Sequence, residues 1–254
     1  MSTPGREGQD PIIELDSLSA FYGGLRAIRD VNISIGEGEI VCIVGANGAG
    51  KSTLLGSMVG LMADDPNRHL TGSIKIQGKD TTSYSPHQIV ELGVALVPEG
   101  RRLFSSMSVE ENLLVGLYLP KTRGRASELL PQVYELFPKL KERRNQQVAK
   151  MSGGEQQMVA IGRALMSDPS VLLIDEMSLG LAPVVIADIA ERIGKIHENG
   201  TTFVLVEQEV GRAFEIATRM CVMLEGEVVL EGTPETLERQ AVIDAYFGVQ
   251  HVSH

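Results

Sequence analysis

The sequence predicts an α/β fold with a mostly parallel central sheet, and three observations support this fold class. Continuous apolar, β-branched segments at Ile40–Val44, Val171–Ile174 and Thr202–Val206 are typical of strands buried on both faces, as in parallel sheets. Alternating apolar and polar residues near the start of the chain predict a half-solvated antiparallel sheet. Strand patterns disappear over residues 108–166, where helical periodicity takes over. One core with a helical insertion follows from this order.

The individual elements follow from the same patterns. Ile12–Leu18 and Val31–Ile35 alternate as the first two strands, and a helix is expected from Lys51 to about Met62. Cys221–Leu224 and Val228–Leu230 predict strands of a hairpin around Glu225-Gly226-Glu227, and a helix is expected over Thr233–Tyr246. The predicted divisions are a flexible tail at 1–11, an α/β core with its antiparallel β subdomain at 12–98 and 166–232, a helical subdomain at 99–165, and a helical tail at 233–254.

Composition excludes several classes of function. The formal net charge is −10, and the sequence has no dense basic stripe, so nucleic-acid binding is not expected. Cys42 and Cys221 lie in apolar segments without metal-ligand spacing, and are expected to be core residues rather than zinc ligands. No segment reaches the roughly 20 apolar residues that cross a bilayer, and the N-terminus lacks a signal-peptide pattern. A soluble, cytosolic protein is expected, without direct membrane insertion.

A glycine-rich loop follows the first buried strand and matches the phosphate-binding pattern G-x-x-x-x-G-K-[ST]. Its residues are Gly45, Ala46, Asn47, Gly48, Ala49, Gly50, Lys51, Ser52 and Thr53. The glycines let backbone N–H groups lie close to phosphate oxygens, and the following helix directs its N-terminal dipole at the same anion. Lys51 is expected to reach the β- and γ-phosphates, and the Ser52 hydroxyl to ligate Mg²⁺. The alternative is a chance glycine-rich turn.

Two carboxylates end the second buried strand. Ligands of open α/β sheets bind at the carboxyl ends of the strands. Asp175 is therefore expected to hold Mg²⁺, and Glu176 to polarise the attacking water as general base. An ordinary strand-to-loop transition is the alternative for this pair.

The segment Met151-Ser-Gly-Gly-Glu-Gln-Gln157 predicts a helix N-terminus, with a capping box between Ser152 and Glu155. Its two glycines weaken a helix unless the backbone must approach something closely. The segment closely resembles the signature of ABC ATPases, usually Leu-Ser-Gly-Gly-Gln. A helix cap without a ligand is the alternative.

The resemblance to ABC ATPases covers nearly the whole chain, and it implies a P-loop NTPase core with the ABC ATPase fold. It implies two ATP molecules held between two chains, with Ser152, Gly153, Gly154 and Glu155 closing over the nucleotide on the neighbouring loop. Tyr22 matches the aromatic residue that stacks on adenine, and a half-buried strand aromatic is its alternative. The implied cofactors are ATP and Mg²⁺. The implied partners are transmembrane permease subunits and a second ATPase subunit, which is a copy of this chain or a sister chain.

Three positions depart from the common family pattern. Glu99 stands where a Gln is usual, Gln208 where the switch His is usual, and Ala182 where an Asp is common. Glu99 could ligate Mg²⁺ or position water, with a solvated loop carboxylate as the alternative. Gln208 can donate a hydrogen bond to the γ-phosphate as a catalytic residue, but it cannot carry a proton near neutral pH.

Taken together, these departures resemble the second ATPase subunit of high-affinity branched-chain amino-acid importers, which a solute-binding protein supplies. The implied location is peripheral, on the cytoplasmic face of the cell membrane. Importers of urea and short-chain amides are the nearest alternative. A non-transport ABC ATPase and an unrelated P-loop kinase are more distant ones, because the first needs a longer chain and the second does not explain Ser152–Gln157.

Overall fold

The computed structural model describes residues 10–62, 65 and 67–249. The strands in this part are β1 Ile13–Tyr22, β2 Leu25–Ile35, β3 Ile40–Val44, β4 Arg68–Ile76, β5 Lys79–Asp80, β6 Val94–Val97, β7 Val171–Asp175, β8 Thr202–Glu207, β9 Arg219–Leu224 and β10 Glu227–Gly232. The α-helices are α1 Lys51–Met58, α2 Pro86–Glu91, α3 Val109–Leu114, α4 Ala126–Leu136, α5 Pro138–Glu142, α6 Gly153–Leu165, α7 Pro183–Glu198, α8 Val210–Ile216 and α9 Arg239–Phe247, with 3₁₀ turns at Val115–Tyr118 and Val148–Lys150.

These elements form two compact units. The first comprises the described residues up to Leu92 and those from Thr202 onward, and the second is Gly93–Thr201. In the first unit, β2, β1, β4 and β5 form an antiparallel sheet in that order. The predicted antiparallel sheet is confirmed, although register shifts interrupt its β1–β2 pairing near the left-handed residues Ser17 and Asp30.

The first unit also holds the buried parallel strands. β3 pairs in parallel with β8 and with β9, and β10 pairs antiparallel with β9. All residues of β3 and β8 are buried, which confirms the prediction from their continuous apolar sequences. Cys42 and Cys221 are buried free thiols of this core, and burial raises the pKa of Cys221 to about 12.

The second unit contains the parallel pair β6–β7 and the helices α3 to α7. Helix α6 packs against α3, α5 and α7. Leu113, Leu140 and Val159 are fully buried members of this core. The helical subdomain expected at 99–165 lies within this unit.

Some predicted helix limits are wrong. Helix α1 ends at Met58, because Gly60 adopts a left-handed φ of 76° and turns the chain. Helix α9 begins only at Arg239, because the Thr233 carbonyl accepts the N–H groups of Thr236 and Leu237 in a separate turn. Helices α2 and α8 were not predicted, although a capping box from Ser85 to Gln88 marks the start of α2.

The predicted hairpin is confirmed as β9–β10, with Glu225 and Gly226 both left-handed in its turn. Most of the tail predicted at 1–11 and the last five residues of the helical tail lie outside the described residues. In the described part of the chain, none of the helices combines the length and apolar content needed to cross a bilayer.

Candidate functional site

The glycine-rich loop joins the carboxyl end of β3 to the first residue of α1. A Cβ atom on Gly45 would lie 2.4 Å from the carbonyl oxygen of Met223, so no side chain fits there. Positions 48 and 50 favour glycine for a different reason, because their backbone is left-handed, with φ of 84° at Gly48 and 100° at Gly50. Gly50 is the N-cap of α1, and this left-handed turn starts the helix directly behind the loop.

Lys51 lies beneath the loop. Its side chain is buried, and its ammonium donates hydrogen bonds to the carbonyl oxygens of Gly45 at 2.7 Å and Ala46 at 3.1 Å. The positive charge is thus held next to the loop that the sequence assigns to phosphate. Ser52 follows in the first turn of α1 and is exposed.

The β9–β10 hairpin supports the loop from a distant part of the sequence. The Gly226 N–H donates to the Ala49 carbonyl at 3.0 Å, and the Gly226 carbonyl accepts from the Arg29 N–H at 2.8 Å. A Cβ atom on Gly226 would lie 2.6 Å from the Ala27 carbonyl oxygen, so this close approach requires glycine. The sequence predicted the turn of this hairpin but not its contact with the glycine-rich loop, so this support was not predicted.

Tyr22, at the end of β1, belongs to the same unit as the loop and lies next to it. Its hydroxyl lies 3.4 Å from the Thr53 hydroxyl, and the Arg68 guanidinium lies 5.2 Å from the centre of its ring. The side chain is 37% exposed, which leaves ring surface for a planar ligand. The adenine-stacking hypothesis and the half-buried strand aromatic both fit this position.

Gln208 follows β8 at the same sheet edge from which the loop starts. The register pairs Val44 with Glu207, so the two parallel strands end together. Gln208 is partly exposed, whereas Glu207 is completely buried. Sequence reasoning assigned no role to Glu207. The pKa of the Cys42 thiol is well above its ordinary value, mainly because the thiol is buried and secondly because of the negative charge of Glu207.

The second unit places two carboxylates at the end of β7. Asp175 is the last strand residue and is buried, with 8% of its surface exposed. Glu176 adopts a left-handed φ of 52°, which is unfavourable for a residue other than glycine and typical of functional sites. Glu99 comes two residues after β6 and is exposed, and the register of β6 with β7 pairs Val97 with Ile174. Glu99 and Glu176 therefore follow neighbouring strand ends.

The predicted capping box at the start of α6 is confirmed. The Glu155 N–H donates to the Ser152 hydroxyl oxygen at 3.4 Å, and the Glu155 carboxylate accepts from the Ser152 N–H and hydroxyl. Arg143 lies 3.4 Å from the same carboxylate. Burial alone would raise the pKa of Glu155, but the hydrogen bonds from Ser152 and the charges of Arg143 and Lys139 outweigh burial and lower it.

The two glycines of α6 have different neighbours. A Cβ atom on Gly154 would lie 2.3 Å from the Val185 side chain, so this glycine allows α6 and α7 to pack closely. A Cβ atom on Gly153 would lie 3.3 Å from the Arg101 guanidinium and 3.4 Å from Leu181. Close packing of α6 on α7 therefore requires glycine at position 154, a reason that the sequence pattern did not indicate for either glycine.

Comparisons with known proteins bear on this site. The family described as ABC transporter matches residues 28–178. The chain is 43% identical over 238 residues to the high-affinity branched-chain amino acid transport ATP-binding protein BraG of Pseudomonas aeruginosa, across 93% of this chain and 100% of BraG. It is 34% identical over 221 residues to the probable branched-chain amino acid transport ATP-binding protein LivF of Archaeoglobus fulgidus, across 87% and 91% of the two chains.

Among solved structures, a dimeric ATP-binding cassette in a post-hydrolysis state, bound to ADP and Pi, matches with a TM-score of 0.75. That match is 25% identical and covers 89% of this chain and 100% of the other. The similarity therefore extends well beyond the motifs to most of the chain.

Proposed function

This chain belongs to the ABC transporter family, and we propose that it is the ATP-hydrolysing subunit of an importer of branched-chain amino acids. The observation that carries the proposal is the glycine-rich loop after β3, with the buried Lys51 ammonium bonded to the loop carbonyls. The similarity to BraG over its full length supports branched-chain amino acids as the cargo.

The first unit binds the nucleotide. Backbone N–H groups of Gly45–Thr53 and the Lys51 ammonium contact the phosphates, since both present positive charge at the start of α1. Tyr22 stacks on adenine beside Thr53. Gln208 donates a hydrogen bond to the γ-phosphate from the neighbouring strand end.

Oxygen ligands suited to Mg²⁺ come from the Ser52 hydroxyl and the carboxylates of Asp175 and Glu99. These three residues would hold Mg²⁺, which would supply positive charge that offsets the negative charge of the phosphates. Glu176 orients and polarises the attacking water as general base. Its left-handed backbone directs the chain away from β7 immediately after Asp175.

A second ATPase chain completes each site. The exposed Ser152, with Gly153, Gly154 and Glu155, contacts the nucleotide held by the partner, which is a copy of this chain or a sister chain. The N-terminus of α6 suits this role, because its N–H groups and dipole favour an anion. The similarity to a dimeric cassette that holds ADP and Pi supports the arrangement.

Permease subunits bind the second unit. The loop from Glu99 to Phe104 and the helices after it present exposed apolar side chains, namely Phe104, Leu114, Val115 and Tyr118. Through these contacts the chain is held at the cytoplasmic face of the cell membrane. A solute-binding protein delivers the cargo to the same permease.

The test combines hydrolysis and uptake. Lys51→Ala in the purified chain is expected to lower ATP turnover by about a hundredfold, whereas Lys79→Ala, at an exposed position, serves as the matched control. Parent-like turnover of Lys51→Ala would reject the ATPase assignment of the loop. Membrane vesicles with the assembled transporter are expected to take up labelled leucine but not urea, and the reverse pattern would reject the cargo.

A further inference from the structure

The loop after β6 carries an unusual backbone. Arg101 and Arg102 both adopt left-handed conformations, with φ of 63° and 45°. Two consecutive residues of this kind are unfavourable without glycine, so surrounding contacts must hold them. Those contacts come from the signature helix α6.

Arg163, in the second half of α6, binds the loop backbone. Its guanidinium donates to the carbonyl oxygens of Arg102 at 2.8 Å and Arg101 at 2.9 Å. The same guanidinium lies 5.9 Å from the centre of the Phe104 ring. One side chain of α6 therefore fixes the two left-handed residues and contacts the exposed aromatic residue beyond them.

The Arg101 side chain binds the first two turns of α6. Its guanidinium donates to the side-chain oxygens of Gln157 at 3.2 Å and Gln156 at 3.3 Å. It also occupies the space beside Gly153, where a Cβ atom would lie 3.3 Å away. Because Gln157 is buried, this contact reaches the packed side of the helix.

The other end of the loop is fixed to α3. Asn112 is fully buried, and its side chain accepts from the Phe104 N–H at 2.9 Å and donates to the Phe104 carbonyl at 3.1 Å. The Phe104 backbone is therefore held while its side chain remains 49% exposed. A force on this side chain would act on a loop that is bonded to both ends of α6.

We propose that Arg101 and Arg163 are positioning residues that join the Glu99–Phe104 loop to the signature helix, so that the loop and Ser152 move as one body. This inference rests on the proposed function, in which the loop contacts the permease and Ser152 contacts the nucleotide of the partner chain. The two arginines then set the orientation of the helix tip for hydrolysis without contacting the substrate themselves.

The test compares Arg101→Ala with Arg102→Ala, its exposed neighbour of the same charge and backbone conformation. With Mg·ATP and the full chain, Arg101→Ala is expected to lower kcat about tenfold, as for loss of hydrogen bonds from a charged group, and to leave KM within about twofold. Amide hydrogen exchange is expected to quicken at residues 100–104 and 153–157 but not in α7. Arg102→Ala is expected to match the parent in both measurements.

Arg101→Lys keeps the charge but not the planar fork, and is expected to fall between the parent and Arg101→Ala. Equal kcat and equal exchange for the variants at 101 and 102 would overturn the positioning role. If Arg101→Ala does not fold, the same measurements are made on Arg101→Lys. Parent-like kcat and parent-like hydrogen exchange in Arg101→Lys would then overturn the positioning role of Arg101. Lys51→Ala reports separately on the proposed function, because parent-like turnover in that variant would reject the ATPase assignment whatever Arg101 does.

Discussion

The carboxylate of Glu155 accepts hydrogen bonds from both the backbone N–H and the hydroxyl of Ser152, each at 2.9 Å. The Ser152 hydroxyl therefore donates its only proton to a carboxylate in the first turn of α6, and this bond fixes the side-chain orientation of the residue that is proposed to contact the partner's nucleotide. The same pair satisfies N–H groups at the start of α6 that have no partner within the helix.

Removing Glu155 is expected to destabilise the chain in a pH-dependent way. The pKa of Glu155 is lower in the folded chain than in the unfolded chain, where it is about 4.3. Ionised Glu155 therefore stabilises the fold fully above the unfolded pKa. This stabilisation is lost as the pH falls through the lower pKa of the folded chain. Glu155→Ala should cost about 1 kcal/mol at pH 7 and less below about pH 4. Urea unfolding at both pH values measures the difference, with Glu155→Gln as the control that retains a capping side chain. A difference that stays constant down to pH 3 would contradict the charge-based account.

Glu176→Gln is expected to bind ATP like the parent and to lose turnover. The amide keeps the size and polarity of the side chain but cannot accept a proton from water. Equilibrium binding of a fluorescent ATP analogue and steady-state hydrolysis separate the two effects. Hydrolysis at the parent rate would refute the assignment of Glu176 as general base.

The parent is expected to show no acid limb arising from position 208 in its pH–rate profile. Glutamine does not titrate, whereas a histidine at this position would change charge near pH 6–7. Gln208→His should therefore introduce a limb in that range when hydrolysis is measured from pH 5.5 to 8.5. The idea fails if the parent already has such a limb and Gln208→Ala abolishes it.

Two glycines of the phosphate loop should respond differently to alanine. At Gly45 the new Cβ would lie 2.4 Å from the Met223 carbonyl oxygen, whereas at Gly48 it would meet nothing within 4 Å but would require a φ of 84°. Gly45→Ala should cost about 3 kcal/mol through backbone displacement, and Gly48→Ala about 1 kcal/mol through conformation alone. Urea unfolding without nucleotide tests the order, and equal losses would argue against the close approach of β9.

Replacing Tyr22 should raise the KM for ATP. Stacking on a base contributes about 1–3 kcal/mol, so Tyr22→Ala should raise KM about tenfold. Tyr22→Phe keeps the ring and loses only the 3.4 Å contact with Thr53, and should stay within about twofold of the parent. A lower melting temperature with unchanged KM in Tyr22→Ala would instead indicate a strand aromatic with a structural role.

The features of this protein that depend on local chemistry could be predicted from its amino-acid sequence. The buried strand Ile40–Val44, the loop from Gly45 to Thr53 and the Ser152–Glu155 capping box are each specified by neighbouring residues, and the structure has these local elements where they were predicted. The resemblance to ABC ATPases drawn from these motifs is confirmed by the family match over residues 28–178.

The contacts between distant segments could not be predicted from the sequence and became apparent in the three-dimensional fold. The support of Ala49 by Gly226, the contact of Gly154 with Val185, and the bonds from Arg163 to the loop at Arg101 each join residues more than 30 positions apart. Periodicity and turn signals in a sequence indicate contacts between residues a few positions apart. They do not indicate which distant segment the fold brings next to a given residue. These contacts depend on strand order and helix packing, because hydrogen bonds and close packing act over a few ångströms in space, whatever the separation along the chain.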